Sequence, residues 1–186
     1  MGRVMILMPN GYEEIEALTV VDFCRRAGIE IDMVSITGKL DTVGDHKVII
    51  KADKLIEDIN PDDYKGVITP GGMDGTNMLV NDERAVSIIK NFFEGGKLVA
   101  NICASPMILQ KAGVANKIKG TMYPTLEKNV DFMEFIEEPV VRYENVITSR
   151  GPATSTLFAY EIISYLKGVE VSERVMNETL AFYIKK

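Results

Sequence analysis

Residues 4–8 form an unbroken apolar run, the pattern of a strand covered on both faces, and Pro9-Asn10-Gly11 breaks it. Apolar side chains then recur at three- and four-residue spacing, at Ile15, Leu18, Val21 and Phe23/Cys24. Glu13, Glu14 and Glu16 supply the negative charge that a helix N-terminus favours, and Gly28 stops the helix after Arg25-Arg26. Residues 29–36 alternate as a second strand, which completes a βαβ unit. The pattern next predicts a short antiparallel excursion over 47–51, a helical turn within 53–59, and a third core strand over 67–69 that ends at Pro70-Gly71-Gly72. Val86, Ile89 and Phe93 give residues 82–93 an inward helical stripe, closed by Gly95-Gly96. A buried strand over 97–103 then leads at once into a helix over 104–113. Strands over 118–122, 140–142 and 146–149, a helix from Pro152 to about Leu166, and a last helix capped by Ser172 and ending near Leu180 complete the chain. Such alternation predicts an α/β fold, a mostly parallel sheet with helices on both faces.

The chain has 186 residues, which suits one domain over 1–186 with no linker. Its 21 basic residues against 27 acidic ones, with no basic block longer than a pair, argue against nucleic acid as a partner. Two cysteines make no disulfide framework, and a single histidine, His46, argues against a zinc site. The opening apolar run is shorter than a signal-peptide core, and no stretch approaches the ~20 apolar residues of a membrane span. These features predict a cytoplasmic protein without metal or membrane.

In a parallel α/β sheet, ligands bind outside the carboxyl ends of the strands, at a switch in strand order. That rule gathers residues 11–16, Gly71-Gly72 and Cys103, which follow the first, third and fourth core strands. A thiol at a strand-to-helix turn faces unpaired N–H groups and the positive end of a helix dipole, which favour the thiolate. The same position also suits a small apolar side chain filling a tight junction. Cys24, on the apolar stripe of the first helix, reads as core filling. Gly71-Gly72 fails as a phosphate loop, because Met73-Asp74-Gly75-Thr76 follows where Lys-Ser/Thr is needed.

Five segments in order carry a resemblance over essentially the whole chain: residues 10–16, 22–28, 70–72, 102–106 and 148–155. Together they resemble the ThiJ/PfpI superfamily, in the branch that contains the Parkinson-linked protein deglycase and bacterial ThiJ-like proteins. The resemblance implies a flavodoxin-like three-layer sandwich, a homodimer, and Cys103 as the reactive cysteine on a strained nucleophile elbow. It also implies Glu16 as the carboxyl group beside the sulfur, and the backbone N–H groups of Gly72 and Ala104 as an oxyanion-binding pair. The implied activity is a cofactor-free glyoxalase III or deglycase reaction on methylglyoxal-like α-oxoaldehydes or their adducts, so the partner is a small aldehyde or glycated adduct. The alternative is a redox-responsive stress protein or chaperone in which Cys103 is oxidised. Tyr123 stands where many members have a histidine, and Ala104 stands where the protease branch has one, which disfavours proteolysis. Arg150 is an auxiliary candidate, for holding either the elbow or the dimer. His46 reads as a surface or interface residue.

Overall fold

The computed structural model describes residues 2–183. Its strands are β1 (Arg3–Met8), β2 (Ile31–Ser35), β3 (Asp41–Val43), β4 (Ile49–Lys51), β5 (Lys54–Leu55), β6 (Tyr64–Thr69), β7 (Leu98–Ile102), β8 (Lys119–Gly120), β9 (Glu134–Phe135), β10 (Val140–Tyr143) and β11 (Val146–Ser149). Its helices are α1 (Glu14–Arg26), α2 (Met73–Asn81), α3 (Glu83–Glu94), α4 (Met107–Lys111), α5 (Ser155–Lys167) and α6 (Val169–Glu178). Seven strands form the main sheet in the order β10-β11-β7-β6-β1-β2-β5, parallel except for the edge pair β10/β11. β3 and β4 form the separate antiparallel ribbon expected near residues 47–51.

The unbroken apolar run of β1 now has its reason. Val4, Ile6 and Met8 pack on one face against Ala17, Val20 and Cys24 of α1 and Phe158 and Ile162 of α5. Met5 and Leu7 pack on the other against Leu79 of α2, Ile89 and Phe92 of α3 and Leu109 of α4. A strand enclosed in this way has no solvent face to mark with polar residues. The result is the expected three-layer α/β sandwich. Asp82 caps α3 by accepting from the amides of Arg84 and Ala85, at 2.9 and 3.3 Å.

Four expectations need correction. First, α2 was not expected, because Met73-Asp74-Gly75-Thr76 offers little apolar periodicity; this helix buries small residues, Gly75 and Thr76, together with Leu79. Second, the helix after Cys103 starts at Met107 instead of Ala104 and spans 5 residues, because Ala104 and Ser105 stay in a tight turn and Pro106 is the cap. Third, only Lys119–Gly120 of the predicted strand 118–122 pairs, and it does so with β9 outside the main sheet. The amides just beyond it bond elsewhere, Thr121 to Thr148 Oγ1 at 2.8 Å and Tyr123 to the Cys103 carbonyl at 2.9 Å. Fourth, Ser172 lies inside α6, where its hydroxyl donates to the Tyr160 carbonyl at 2.9 Å; Gly168, with φ +90°, is the residue that separates α5 from α6.

Candidate active site

The strands β7, β6 and β1 are neighbours, so their carboxyl ends deliver Cys103, Gly71-Gly72 and residues 11–16 to one place. Cys103 has φ +65°, a left-handed conformation that costs a non-glycine residue on the order of 1–3 kcal/mol unless the surroundings enforce it. Those surroundings are identifiable. The Cys103 amide donates to the Ser149 carbonyl at 2.9 Å, and its own carbonyl accepts from Tyr123 at 2.9 Å. Behind the turn, the buried Ser105 hydroxyl accepts from the Ile102 amide at 2.9 Å and from Thr69 Oγ1 at 3.0 Å. Asn101 Nδ2 donates to Thr69 Oγ1 at 2.6 Å. This network ties the ends of β6 and β7 to the elbow. It was missed at the sequence level, although a serine two residues past the cysteine is a recognisable turn signal.

Glu16 is fully buried, and its Oε2 accepts from the Gly71 amide at 2.7 Å. Gly71 separates the carboxyl from the thiol so closely that a Cβ there would lie 2.5 Å from Glu16 Oε2, 2.6 Å from Cys103 Cβ and 3.1 Å from Cys103 Sγ. Gly72 has φ +86°, and a Cβ on it would lie 2.3 Å from the Gly11 carbonyl oxygen. The Pro70-Gly-Gly72 signal therefore records two different needs: room between the reacting groups at one glycine, and a backbone conformation at the next.

Burial pushes the Glu16 carboxyl up to about 7, against the Gly71 amide and the Cys103 thiol, which both favour its charge. Burial also pushes the Cys103 thiol up to about 12, aided by the neighbouring Glu16 charge, while the N–H groups of Ala104 and Gly72 act in the opposite direction. The expected helix-dipole effect on the thiol is corrected accordingly. A five-residue helix that begins four residues away exerts little field, and the stabilisation of sulfur charge comes from the two amides. Thiol and carboxyl titrate as a pair, sharing one proton from near-neutral pH upward. Burial likewise pushes Cys24 up to about 12, in keeping with core filling.

Cys103 opens into a cleft of about 410 Å³ that Glu13, Asp45, Gly72, Met73, Ala104, Tyr123, Thr125, Leu126 and Pro152 also line. Of the predicted residues, the structure thus brings together Cys103, Glu16, Gly72, Ala104 and Tyr123. Tyr123 is 45% exposed, with its ring edge against Gly151. Arg150 is not among the described residues lining the cleft; its guanidinium lies 3.5 Å from Glu137 Oε1 and 6.0 Å from the Phe135 ring centroid. Asp45 is a cleft residue that the sequence pattern does not reach, whereas Glu13 lies in the segment 11–16 gathered at the strand ends but reads there only as a helix-start charge.

His46 sits beside the cleft, exposed, with Nδ1 2.9 Å from Glu14 Oε2 and 3.6 Å from Glu13 Oε2. Its hydrogen bond with Glu14 raises the imidazole pKa, helped by the Glu13 and Glu14 charges. Burial works to raise Glu14, but His46 and the amides of His46 and Val48 outweigh it and hold the carboxyl below its usual range. Glu13, Glu14 and His46 offer ligand atoms within 4.8 Å of one another, a spacing that a cation could use and that the ion pair already satisfies.

The DJ-1/PfpI family model matches residues 2–165. The chain is 35% identical to the Parkinson disease protein 7 homolog of Danio rerio, over 93% of this chain and 94% of that one. It is 32% identical to a deglycase of Pyrococcus horikoshii, over 89% of this chain and 99% of that one. It spans 42% of the length of a longer Arabidopsis thaliana relative, protein DJ-1 homolog B. Among solved structures, Toxoplasma gondii DJ-1, oxidized, superposes with a TM-score of 0.93 at 30% identity, covering 97% of this chain and 98% of that one. A cysteine on a strained elbow, a family match over most of the chain and a shared fold lead to one assignment: the chain belongs to the DJ-1/PfpI family.

Proposed function

We propose that the protein is a cofactor-free enzyme that converts α-oxoaldehydes such as methylglyoxal, or their adducts, into hydroxy acids. The observation that carries this reading is the juxtaposition of the Cys103 thiol, the Glu16 carboxyl and the Gly72 and Ala104 N–H groups at the base of one cleft. The sulfur bonds to the aldehyde carbon while Glu16 accepts the thiol proton. The negative charge that develops on the aldehyde oxygen is met by fixed N–H donors. Glu16 then carries a proton from the first carbon to the second, which leaves a thioester and a hydroxyl group, and water cleaves the thioester to release lactate and the thiol. Tyr123 is a hydrogen-bond donor at the cleft wall and replaces a histidine that this route does not need as a base. The deglycase naming of archaeal relatives supports the adduct substrates. Lactate formation from methylglyoxal without glutathione, abolished by Cys103→Ser, tests the proposal; turnover equal to that of the variant would overturn it.

A second reading has its own support, since one structural neighbour is described as oxidized. Two equivalents of peroxide, each reduced to water, would oxidise the Cys103 thiol through the sulfenic acid to the sulfinate, with a protonated Glu16 donating a hydrogen bond to it. The protein is further proposed to be a homodimer, as its family resemblance implies. The hydrogen bonds from the His46 and Val48 amides to Glu14 fasten the β3/β4 ribbon to the start of α1, and the exposed Ile15, Val48 and Ile49 on these two elements are the proposed surface for a second copy.

A further inference from the structure

We infer that the cleft selects carbonyl adducts that carry a positive charge, an inference that rests on the proposed chemistry at Cys103. Two carboxylates, Glu13 and Asp45, line the opening, and none of its described lining residues is a lysine or arginine. Glu14 adds a third carboxylate immediately behind Glu13, pinned by the amides of His46 and Val48 at 2.8 and 3.4 Å. Among the described residues, the group paired with Glu13 and Glu14 is the His46 imidazole, which faces Glu14 at 2.9 Å and Glu13 at 3.6 Å. The guanidinium of Arg150 does not line the cleft; it lies 3.5 Å from Glu137 Oε1 and 6.0 Å from the Phe135 ring centroid, and its buried Nη1 has no hydrogen-bond partner among the described residues.

The negative field reaches the reacting groups. After burial, the charge of Glu13 is a further influence that raises the Glu16 carboxyl. Beyond Cys103, the other described lining residues carry no charge: Met73, Ala104, Leu126 and Pro152 are apolar, Thr125 is a neutral hydroxyl, and Tyr123 supplies one aromatic ring, a group whose face suits a cation. An α-oxo acid would bring a second anion against Glu13 and Asp45, whereas an adduct held on a basic group meets carboxylates on one wall and a ring on another. Charge complementarity of this kind acts on encounter and on discrimination between otherwise similar ligands.

Three methylglyoxal hemithioacetals provide the probe, formed with excess thiocholine, 2-mercaptoethanol or 3-mercaptopropionate. They carry one positive charge, none and one negative charge on the same reacting unit. In each, the C–S bond to the thiol breaks, one water is consumed, and lactate and the free thiol are released. At low ionic strength kcat/KM should fall in that order, by about tenfold from end to end, and the spread should narrow in 0.5 M salt, ~4 Å being the screening length there. Glu13→Gln and Asp45→Asn should each narrow the same ratio, which is internal to each variant and independent of its overall rate. Equal kcat/KM for the three adducts, or preference for the anionic one, overturns the inference while leaving the enzyme reading intact. Absence of lactate from all three and from free methylglyoxal overturns both.

Discussion

The proton shared by Glu16 and Cys103 sets the first expectation at the scale of single residues. Glu16 must act as a base, and its carboxyl is held up to about 7 by burial. The rate should therefore rise as pH climbs through about 7 and level off above it, because the competent form of the pair holds one proton, with the Glu16 carboxylate poised to take it from the Cys103 thiol. In Glu16→Gln the rising limb should disappear and kcat should drop by roughly 10²- to 10⁴-fold, the usual contribution of a positioned acid–base group. A pH–rate profile of both proteins checks this; an unchanged limb in the variant would assign it to another group. Gly71 gives a steric counterpart. A methyl group there meets the Glu16 carboxyl at 2.5 Å, Cys103 Cβ at 2.6 Å and the sulfur at 3.1 Å, so Gly71→Ala should cost about 1–3 kcal/mol of stability through overpacking and at least tenfold in kcat. Thermal unfolding read beside turnover separates the two effects.

At the scale of elements, the elbow is a turn held from behind, and Ser105 is the hydroxyl that holds it. Ser105→Ala removes the acceptor of the buried Ile102 amide and should lower stability by about 1–3 kcal/mol, measured by denaturant unfolding. The β3/β4 ribbon is held by the Glu14–His46 pair, and its pH dependence has a definite sign. The folded pKa of His46 lies above its ordinary 6.5, so its contribution is fully present below 6.5 and is lost as pH rises through the folded value. Glu14 is held below its ordinary 4.5, so its contribution is present above 4.5 and fades as pH falls through the lowered value. Protection of the His46 and Val48 amides against hydrogen exchange, corrected for intrinsic rates, should thus be greatest between about pH 5 and 6. Flat protection across pH 5–9 would show that the ribbon is held by other contacts.

These elements differ in how legible they were. β1, α1, α3 and β7 bury large apolar side chains on a regular period, so their sequence pattern and their packing say the same thing. α2 packs through Gly75 and Thr76, where closeness of approach replaces apolar surface, and a hydrophobic period has nothing to register. Cys103, Glu16, Gly72 and Ala104 were found because strand ends and motif order point to them. Asp45 reaches the cleft only through the way the β3/β4 turn folds over the start of α1, its amide bonded to the Tyr12 carbonyl at 2.8 Å, a long-range contact that local pattern does not encode.

At the scale of the whole molecule, the sheet order determines both the site and its surroundings. Placing β1 between β2 and β6 sets the start of α1 beside the end of β6, so the helix that supplies Glu16 also supplies the outward-facing Ile15 one residue earlier. Ile15 is 57% exposed, and Val48 and Ile49, on the ribbon fastened to Glu14, are 45% and 66% exposed. Apolar side chains of this size at such exposure, on a helix and a ribbon joined by hydrogen bonds to Glu14, suit burial by a second copy more than solvation. Light scattering on the eluting protein should then give about twice the 20.7 kDa chain mass. The double variant Ile15→Asp, Ile49→Asp should shift the mass to the monomer, since two carboxylates facing their symmetry mates at a closed interface are costly to desolvate. Because Ile15 adjoins the helix turn that carries Glu16, the monomeric variant should also show a lower kcat if the second copy steadies that turn. A monomeric mass for the unaltered protein would remove the interface and leave the cleft to be explained from one chain alone.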